Sequence, residues 1–273
     1  MQHAVAVAQG RTTRSAAVIL DRRTGIVYGA GSPDAPFASA SLVKVFIATR
    51  LLIDGQAADP GIRDLMWQMI VASDDDAASA LYPIAGYEDL IGWISNRYGI
   101  SGLAPASIHN YWGLTQITAR AMVTFYAKIA NDPAVGPWLL DAMANAQATG
   151  SDGFPQYFGI PSAAAHWRIK QGWMCCLENV TRMHSTGFVD DRYTVALLTE
   201  GPRAMYGSYG AQTLTAMAEA LLPDGTVPQS GPLPPETPAA TTPPPTTTPP
   251  PSRTPTPSPT TRSPSPSPTR THR

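Results

Sequence analysis

Cysteine and lysine are scarce in this 273-residue chain, and each scarcity excludes something. The two cysteines, adjacent at 175 and 176, cannot staple a disulfide-rich scaffold or fill a multi-cysteine metal module. They are either two small apolar residues or a bridge between neighbours, which an oxidising compartment permits. The histidines His109, His166 and His184 are scattered, so no metal and no cofactor is expected. No run of about 18 apolar residues occurs, so no membrane span is expected. The first 224 residues hold 15 basic against 19 acidic side chains and no Lys/Arg-rich run, so no nucleic-acid partner is expected. Aromatic residues stop short of Gly225, and 18 of the 28 prolines lie from Pro223 onward. Such a stretch buries too little apolar surface to offset its chain entropy. The composition therefore predicts one globular domain, 1–224, followed by a disordered Pro/Thr/Ser-rich tail, 225–273, either a solubilising end or the stalk of a surface protein.

Lysine is the informative shortage. Three of the 19 basic residues are lysines, Lys44, Lys128 and Lys170, and the rest are arginines. Arginine cannot serve as a base, whereas a buried lysine can lose its proton, so each lysine asks for a role.

Periodicity lays out the domain. Ser15–Leu20 and Gly25–Ala30 read as strand-like runs around a DRRT turn. Leu42–Ile53, Gly61–Ala72, Ala77–Leu81 and Tyr87–Arg97 repeat at helical spacing, with Pro60 in a first turn. A polar loop, 100–114, leads to Thr115 or Thr118 as a cap for a helix over Ala119–Asn131, and another helix follows over Val135–Ala146. After a loop at 147–165, Trp167–Trp173, Met183–Val189 and Tyr193–Thr199 read as antiparallel strands, and Tyr209–Leu222 as a closing helix. The order predicts an α+β fold: an antiparallel sheet from both chain ends, with a helical lobe inserted between them.

Three short motifs fall within this layout. Ser41-Leu42-Val43-Lys44 opens a helix, and positions i and i+3 share a helix face, so hydroxyl and amine can meet. A serine at a helix start also sits in a positive backbone field. Ser73-Asp74-Asp75 precedes a helix, and Lys170-Gln171-Gly172 lies on a strand after the helical lobe. Singly, each has a plain structural reading: a capping serine with a surface lysine, a helix cap, a strand lysine with a solvated head. Together and in this order they place two of the three lysines in a serine acyl-transfer layout.

On these motifs the chain resembles the serine β-lactamase and penicillin-binding protein superfamily, and its class A-like members most, whose motif set is S-x-x-K, S-D-N and K-T-G. The resemblance spans about Ser15 to Leu222. It implies Ser41 as nucleophile, Lys44 as its base and Ser73 as the proton relay to the leaving nitrogen. Lys170 would hold a substrate carboxylate, with Asp75 and Gln171 as further substrate contacts. The backbone N–H groups of Ser41 and Trp173 would form the oxyanion hole, and Gly172 would let the strand approach the ligand. The implied partner is a β-lactam or a D-Ala-D-Ala-type peptidoglycan peptide, and the implied state a monomer. A secreted or cell-surface location follows from the resemblance and the tail, although MQHAVAVAQG is no signal peptide. That decapeptide reads as the remnant of a first helix packing on Tyr209–Leu222.

Three departures qualify the resemblance. Asp75 replaces an asparagine; a carboxylate only accepts hydrogen bonds, and its charge would raise the Lys44 pKa and repel an anionic substrate. Gln171 replaces a threonine. No Asp or Glu lies between Asp89 and Asp132, so the loop 100–114 offers His109 and Asn110 but no carboxylate to activate a deacylating water. The expectation is thus a serine acyl-transfer hydrolase with slow deacylation. The alternatives are a catalytically weak or inactive module that binds wall peptide or a partner, and an esterase.

Overall fold

The computed structural model describes residues 1–227; the expected tail beyond them, 228–273, lies outside the described residues. Nine α-helices and seven strands are found among the described residues. Strands β1 (Arg14–Asp21), β2 (Val27–Gly31), β5 (Trp167–Met174), β6 (Val180–Val189) and β7 (Tyr193–Pro202) form one antiparallel sheet. Its order, β2-β1-β7-β6-β5, sets the N-terminal β1 directly beside the C-terminal β7. The sheet is therefore built from both chain ends, and helices α2 (Lys44–Ile53), α3 (Pro60–Val71), α4 (Asp75–Leu81), α5 (Asp89–Tyr98), α6 (Ala119–Ile129) and α7 (Gly136–Ala144) lie between them in sequence.

Burial explains why these strands read as nearly continuous apolar runs: both faces of the sheet are covered. On one face Ala16, Val18, Leu20 and Leu198 pack with Phe46, Phe125 and Tyr126 of the helical lobe. On the other, Ala17, Ile19, Val195 and Leu197 pack with Leu214 and Met217 of α9 (Ser208–Leu221) and with Ala4 of α1 (Gln2–Ala6). The N-terminal decapeptide thus packs on the last helix, as expected. Helix starts follow local chemistry: Asp59 caps α3 ahead of Pro60, Asp74 caps α4 and Thr118 caps α6, each accepting from a backbone N–H of the first turn.

The structure differs from the periodicity at several points. The Leu42 helix begins as a tight 3-10 turn over Ala40–Val43, and regular α geometry starts only at Lys44. A second sheet of two short strands, β3 (Phe37–Ala38) and β4 (Gln116–Ile117), was too short to show alternation. A four-residue helix, α8 (Ile160–Ala163), interrupts the loop at 147–165. Strand β6 begins at Val180, three residues early, because β7 continues to Pro202 and supplies its partners. No described helix is long and apolar enough to cross a membrane.

Candidate active site

Ser41 lies in the 3-10 turn that feeds α2, so Lys44 follows it by one turn. The turn is fixed from several sides. The Ser39 amide donates to the Thr115 carbonyl at 2.7 Å, and the His184 ring on β6 contacts the Ala38 carbonyl through Nε2 at 2.8 Å. His184 is wholly buried, and burial holds its pKa down at about 4, so it is a neutral strut. Ala40, just before the serine, sits at φ 47°, a left-handed conformation that costs an ordinary residue of order 1–3 kcal/mol and clusters at functional sites. Strand β5 is one of the two edge strands of the sheet and packs against this turn. Gly172 permits that approach: a Cβ there would lie 3.0 Å from the Ser39 carbonyl oxygen and 3.2 Å from Leu42.

Ser41 is 5% exposed, lines a cleft of about 320 Å³, and its Oγ has no hydrogen-bond partner among the described residues. Ser73 sits in the link from α3 to α4 at φ 53°, and its Oγ stands between two lysine amines. Lys170 Nζ donates to it at 2.7 Å and Lys44 Nζ at 3.3 Å. Lys44 also donates to the Ser73 carbonyl at 2.7 Å and to Asp75 Oδ1 at 2.5 Å, and it lies over the Trp112 ring. The structure thus brings together Lys44, Ser73, Asp75 and Lys170, with Ser41 one turn from Lys44.

Both amines are buried, Lys44 at 0% and Lys170 at 1% exposure. Burial pulls the Lys44 pKa below the ordinary lysine value, and the Asp75 carboxylate pulls back against it. Burial pulls Lys170 well below, and the neighbouring Lys44 charge pushes the same way. The Asp75 carboxylate thus favours the protonated form of Lys44, whereas burial and the Lys44 charge both disfavour it at Lys170.

Two expected substrate contacts are placed elsewhere. Neighbours on a strand point to opposite faces, so Gln171 turns away from Lys170. Its amide donates to the carbonyls of Gln156 and Phe158, at 3.0 and 2.5 Å, inside the core. Lys170 itself is not on the cleft wall; its amine is taken up by Ser73 and by the Gln171 carbonyl at 3.1 Å. Trp173 does line the cleft, with its indole N–H donating to Asp152 at 2.8 Å. Ser185 and Thr186 are sheet residues: Thr186 donates to the Lys170 carbonyl and Ser185 accepts from the Ile160 amide. Cys175 and Cys176 are joined to each other just past the cleft wall. Among the described residues no group of three His, Cys, Asp or Glu side chains is arranged to hold a metal.

Sequence reasoning missed much of the opposite wall. Ser79, Tyr111, Trp112 and Gly113 line the cleft beside Asn110. The loop carrying Tyr111 and Trp112 is anchored by Glu88, which accepts from the Asn110 amide at 2.7 Å and contacts His109 Nδ1 at 2.9 Å. His109 is thereby held on Glu88, and the loop brings no carboxylate of its own. A larger cavity, about 580 Å³ beside His166, Arg168 and Asp190, contains none of these residues.

Comparison with known proteins bears on the family and the fold. A model of the beta-lactamase enzyme family matches residues 54–222, so Ser41 and Lys44 lie just outside the matched stretch. A protein of Mycobacterium tuberculosis named "Putative lipoprotein LppW" is 29% identical over 233 residues, covering 81% of this chain and 73% of its own. Among solved structures, a β-lactamase from Chitinophaga pinensis superposes with a TM-score of 0.67 at 11% identity, over 82% of this chain and 98% of its own. A class A β-lactamase from Mycobacterium abscessus gives 0.64 at 16% identity, over 81% and 96%. At such identities the structural likenesses show the fold alone.

Proposed function

Because the chain belongs to the β-lactamase enzyme family, we propose that it is a serine acyl-transfer hydrolase that forms an acyl-enzyme at Ser41 and releases it slowly. One observation carries this reading: Ser73 Oγ lies between the buried amines of Lys44 and Lys170, and Lys44 itself follows by one turn a serine that lines a cleft.

The steps follow from that arrangement. Ser41 Oγ adds to the carbonyl carbon of an amide or β-lactam as its proton passes to the unprotonated form of Lys44. The carbonyl oxygen becomes an oxyanion against the backbone N–H groups of Ser41 and Trp173, two residues that line the cleft. Collapse breaks the C–N bond, and Ser73 Oγ relays the proton from the lysine pair to the leaving nitrogen. Water must then attack the Ser41 ester. The loop that carries Tyr111 and Trp112 supplies no carboxylate to take its proton, so the ester persists. A β-lactam or a D-Ala-D-Ala-type wall peptide fits this chemistry, and a monomer suffices for it. The likeness to a mycobacterial lipoprotein supports an envelope location.

A second reading, a binding module with little turnover, is favoured by the 2.5 Å contact between Lys44 and Asp75, which keeps the base protonated. Intact-protein mass spectrometry with benzylpenicillin, on the native chain and Ser41→Ala, separates the two. A lasting adduct on the native chain alone supports slow acyl transfer. Product without an adduct would refute slow deacylation, and neither adduct nor product would leave the binding module.

A further inference from the structure

Among the described residues, the wall of the cleft carries a single charge, and it is negative. Among the residues lining the 320 Å³ cavity, Asp75 alone is charged. Its side chain is 67% exposed, its Oδ1 accepts from Lys44, and its Oδ2 has no hydrogen-bond partner among the described residues. The two lysines of the site lie behind the wall, with their amines already held by Ser73, Asp75 and the Gln171 carbonyl. An anionic group entering the cleft therefore meets a carboxylate and no accessible ammonium or guanidinium. An entering cation meets that carboxylate together with the rings of Tyr111, Trp112 and Trp173, which line the same cavity. A carboxylate can only accept hydrogen bonds, and aromatic faces attract cations.

We propose that the cleft selects acyl donors that carry a free ammonium group on a side arm, with Asp75 as the specificity-determining residue. The class comprises peptides with an unblocked diamino-acid side chain and β-lactams with an amino-bearing side arm. The proposal rests on the acyl-transfer reading for the word donor, but the selection itself is a binding property of the cleft. It departs from the sequence-based expectation that Lys170 receives a substrate carboxylate.

The test uses two peptides that differ by one acetyl group, Nα-acetyl-L-Lys-D-Ala-D-Ala and its Nα,Nε-diacetyl form. Their binding to the full chain carrying Ser41→Ala is measured by titration calorimetry at low and high salt. The free-amine peptide binds about tenfold more tightly, equivalent to about 1.4 kcal/mol, and the ratio shrinks at high salt as an ion pair on an open wall requires. Adding Asp75→Asn brings the two affinities within about twofold, on the scale of what a partly exposed pair contributes. The salt series keeps the test decisive if that variant folds poorly. Equal affinities in the Ser41→Ala chain overturn the selection, as does a preference that survives Asp75→Asn or binding of neither peptide.

Acylation of the native chain by ampicillin, benzylpenicillin and carbenicillin is run in parallel. These penicillins carry an amino, a neutral and a carboxylate side arm, and the expected rates fall in that order. If the peptides discriminate while no penicillin acylates Ser41, the acyl-transfer reading falls and the selection stands. If penicillins acylate with no preference among the three, the selection falls and acyl transfer stands.

Discussion

Replacing Asp75 with asparagine isolates what its charge does to the base. In the native chain Lys44 Nζ lies 2.5 Å from Asp75 Oδ1, so removing the Lys44 proton means giving up that ion pair. Coulomb's law at this distance gives about 1.7 kcal/mol in water-like surroundings and several times more at the effective dielectric of a protein surface. Asp75 is 67% exposed, so solvent screens the pair strongly and the low end applies, about 1–2 kcal/mol. The amide oxygen of an asparagine there still accepts from Lys44, but without the charge. The D75N chain therefore holds about tenfold more neutral Lys44 near neutral pH, since about 1.4 kcal/mol is a factor of ten. If Lys44 takes the Ser41 proton, acylation by benzylpenicillin near neutral pH rises by about tenfold. That penicillin has an uncharged side arm, which separates base strength from the selection of charged ligands. The sign is fixed: a lysine base works when unprotonated, so the rate climbs with pH, and D75N moves the climb to lower pH. Rapid-mixing mass spectrometry across a pH series measures it, with Lys44→Met as the inactive control. An unchanged pH profile, or one moved to higher pH, would refute Lys44 as the base.

Three further outcomes follow from the packing. Lys170→Met removes a buried amine while keeping its stem, so acylation is lost while the unfolding midpoint in denaturant rises by the equivalent of about 1–2 kcal/mol. The native chain gains stability as pH rises through the depressed Lys170 pKa, because the unfolded lysine still binds the proton that the folded one has released; that gain is missing in Lys170→Met. His184, depressed to about 4, is protonated in the unfolded chain first, so stability falls as pH drops from about 6.5 toward 4, and His184→Gln flattens this part of the thermal unfolding curve against pH. Gly187 pairs with Ile169 at φ 146°, where an added Cβ would fall against the Arg168 carbonyl oxygen. Gly187→Ala therefore forces β5 from β6 and costs about 3 kcal/mol or more by chemical denaturation, displacing Lys170 with the strand.

What was legible in the sequence was local. Ser41 and Lys44 share a turn, Asp74 caps the helix behind Ser73, and Lys170 and Gly172 share a face of one strand; each relation spans four residues or fewer and follows from helical or strand period. The sheet from both chain ends was legible as well, because its strands carry apolar runs and its turns carry their own signals. The depth of each group was not legible. Lys170 meets Ser73 across 97 positions of chain, and only that closure decides that its amine ends behind the serine rather than on the wall. Gln171 looked like a substitute for a substrate-binding hydroxyl because its neighbours in sequence were site residues, yet the pleat turns it into the core. Tyr111 and Trp112 gave no signal at all: two aromatics in a polar loop acquire meaning only when Glu88 fastens that loop across the cleft.

Two departures from the motif set, the aspartate at 75 and the loop without a carboxylate, are one electrostatic fact. Two lysine amines share a single hydroxyl at 2.7 and 3.3 Å in a buried site. Two ammonium groups so placed repel, and burial penalises each charge again. The site can keep one proton on the pair only with an anion at hand. The loop 100–114 contributes none, since no Asp or Glu lies between Asp89 and Asp132. The carboxylates that act on Lys44 are those of Asp75, Asp74 and Asp152, and Asp75 is the one in direct contact. Placing the anion there has two consequences at once. It favours the protonated form of Lys44 over that of Lys170, and it puts the one charge among the described cleft-lining residues on the wall itself. A site charged in this way has no carboxylate on the loop 100–114 to activate water, and a charged side arm of a ligand meets Asp75 on its wall rather than a cation. Restoring an asparagine in place of Asp75 should therefore change rate and selectivity together, whereas a carboxylate introduced on the loop would change deacylation alone.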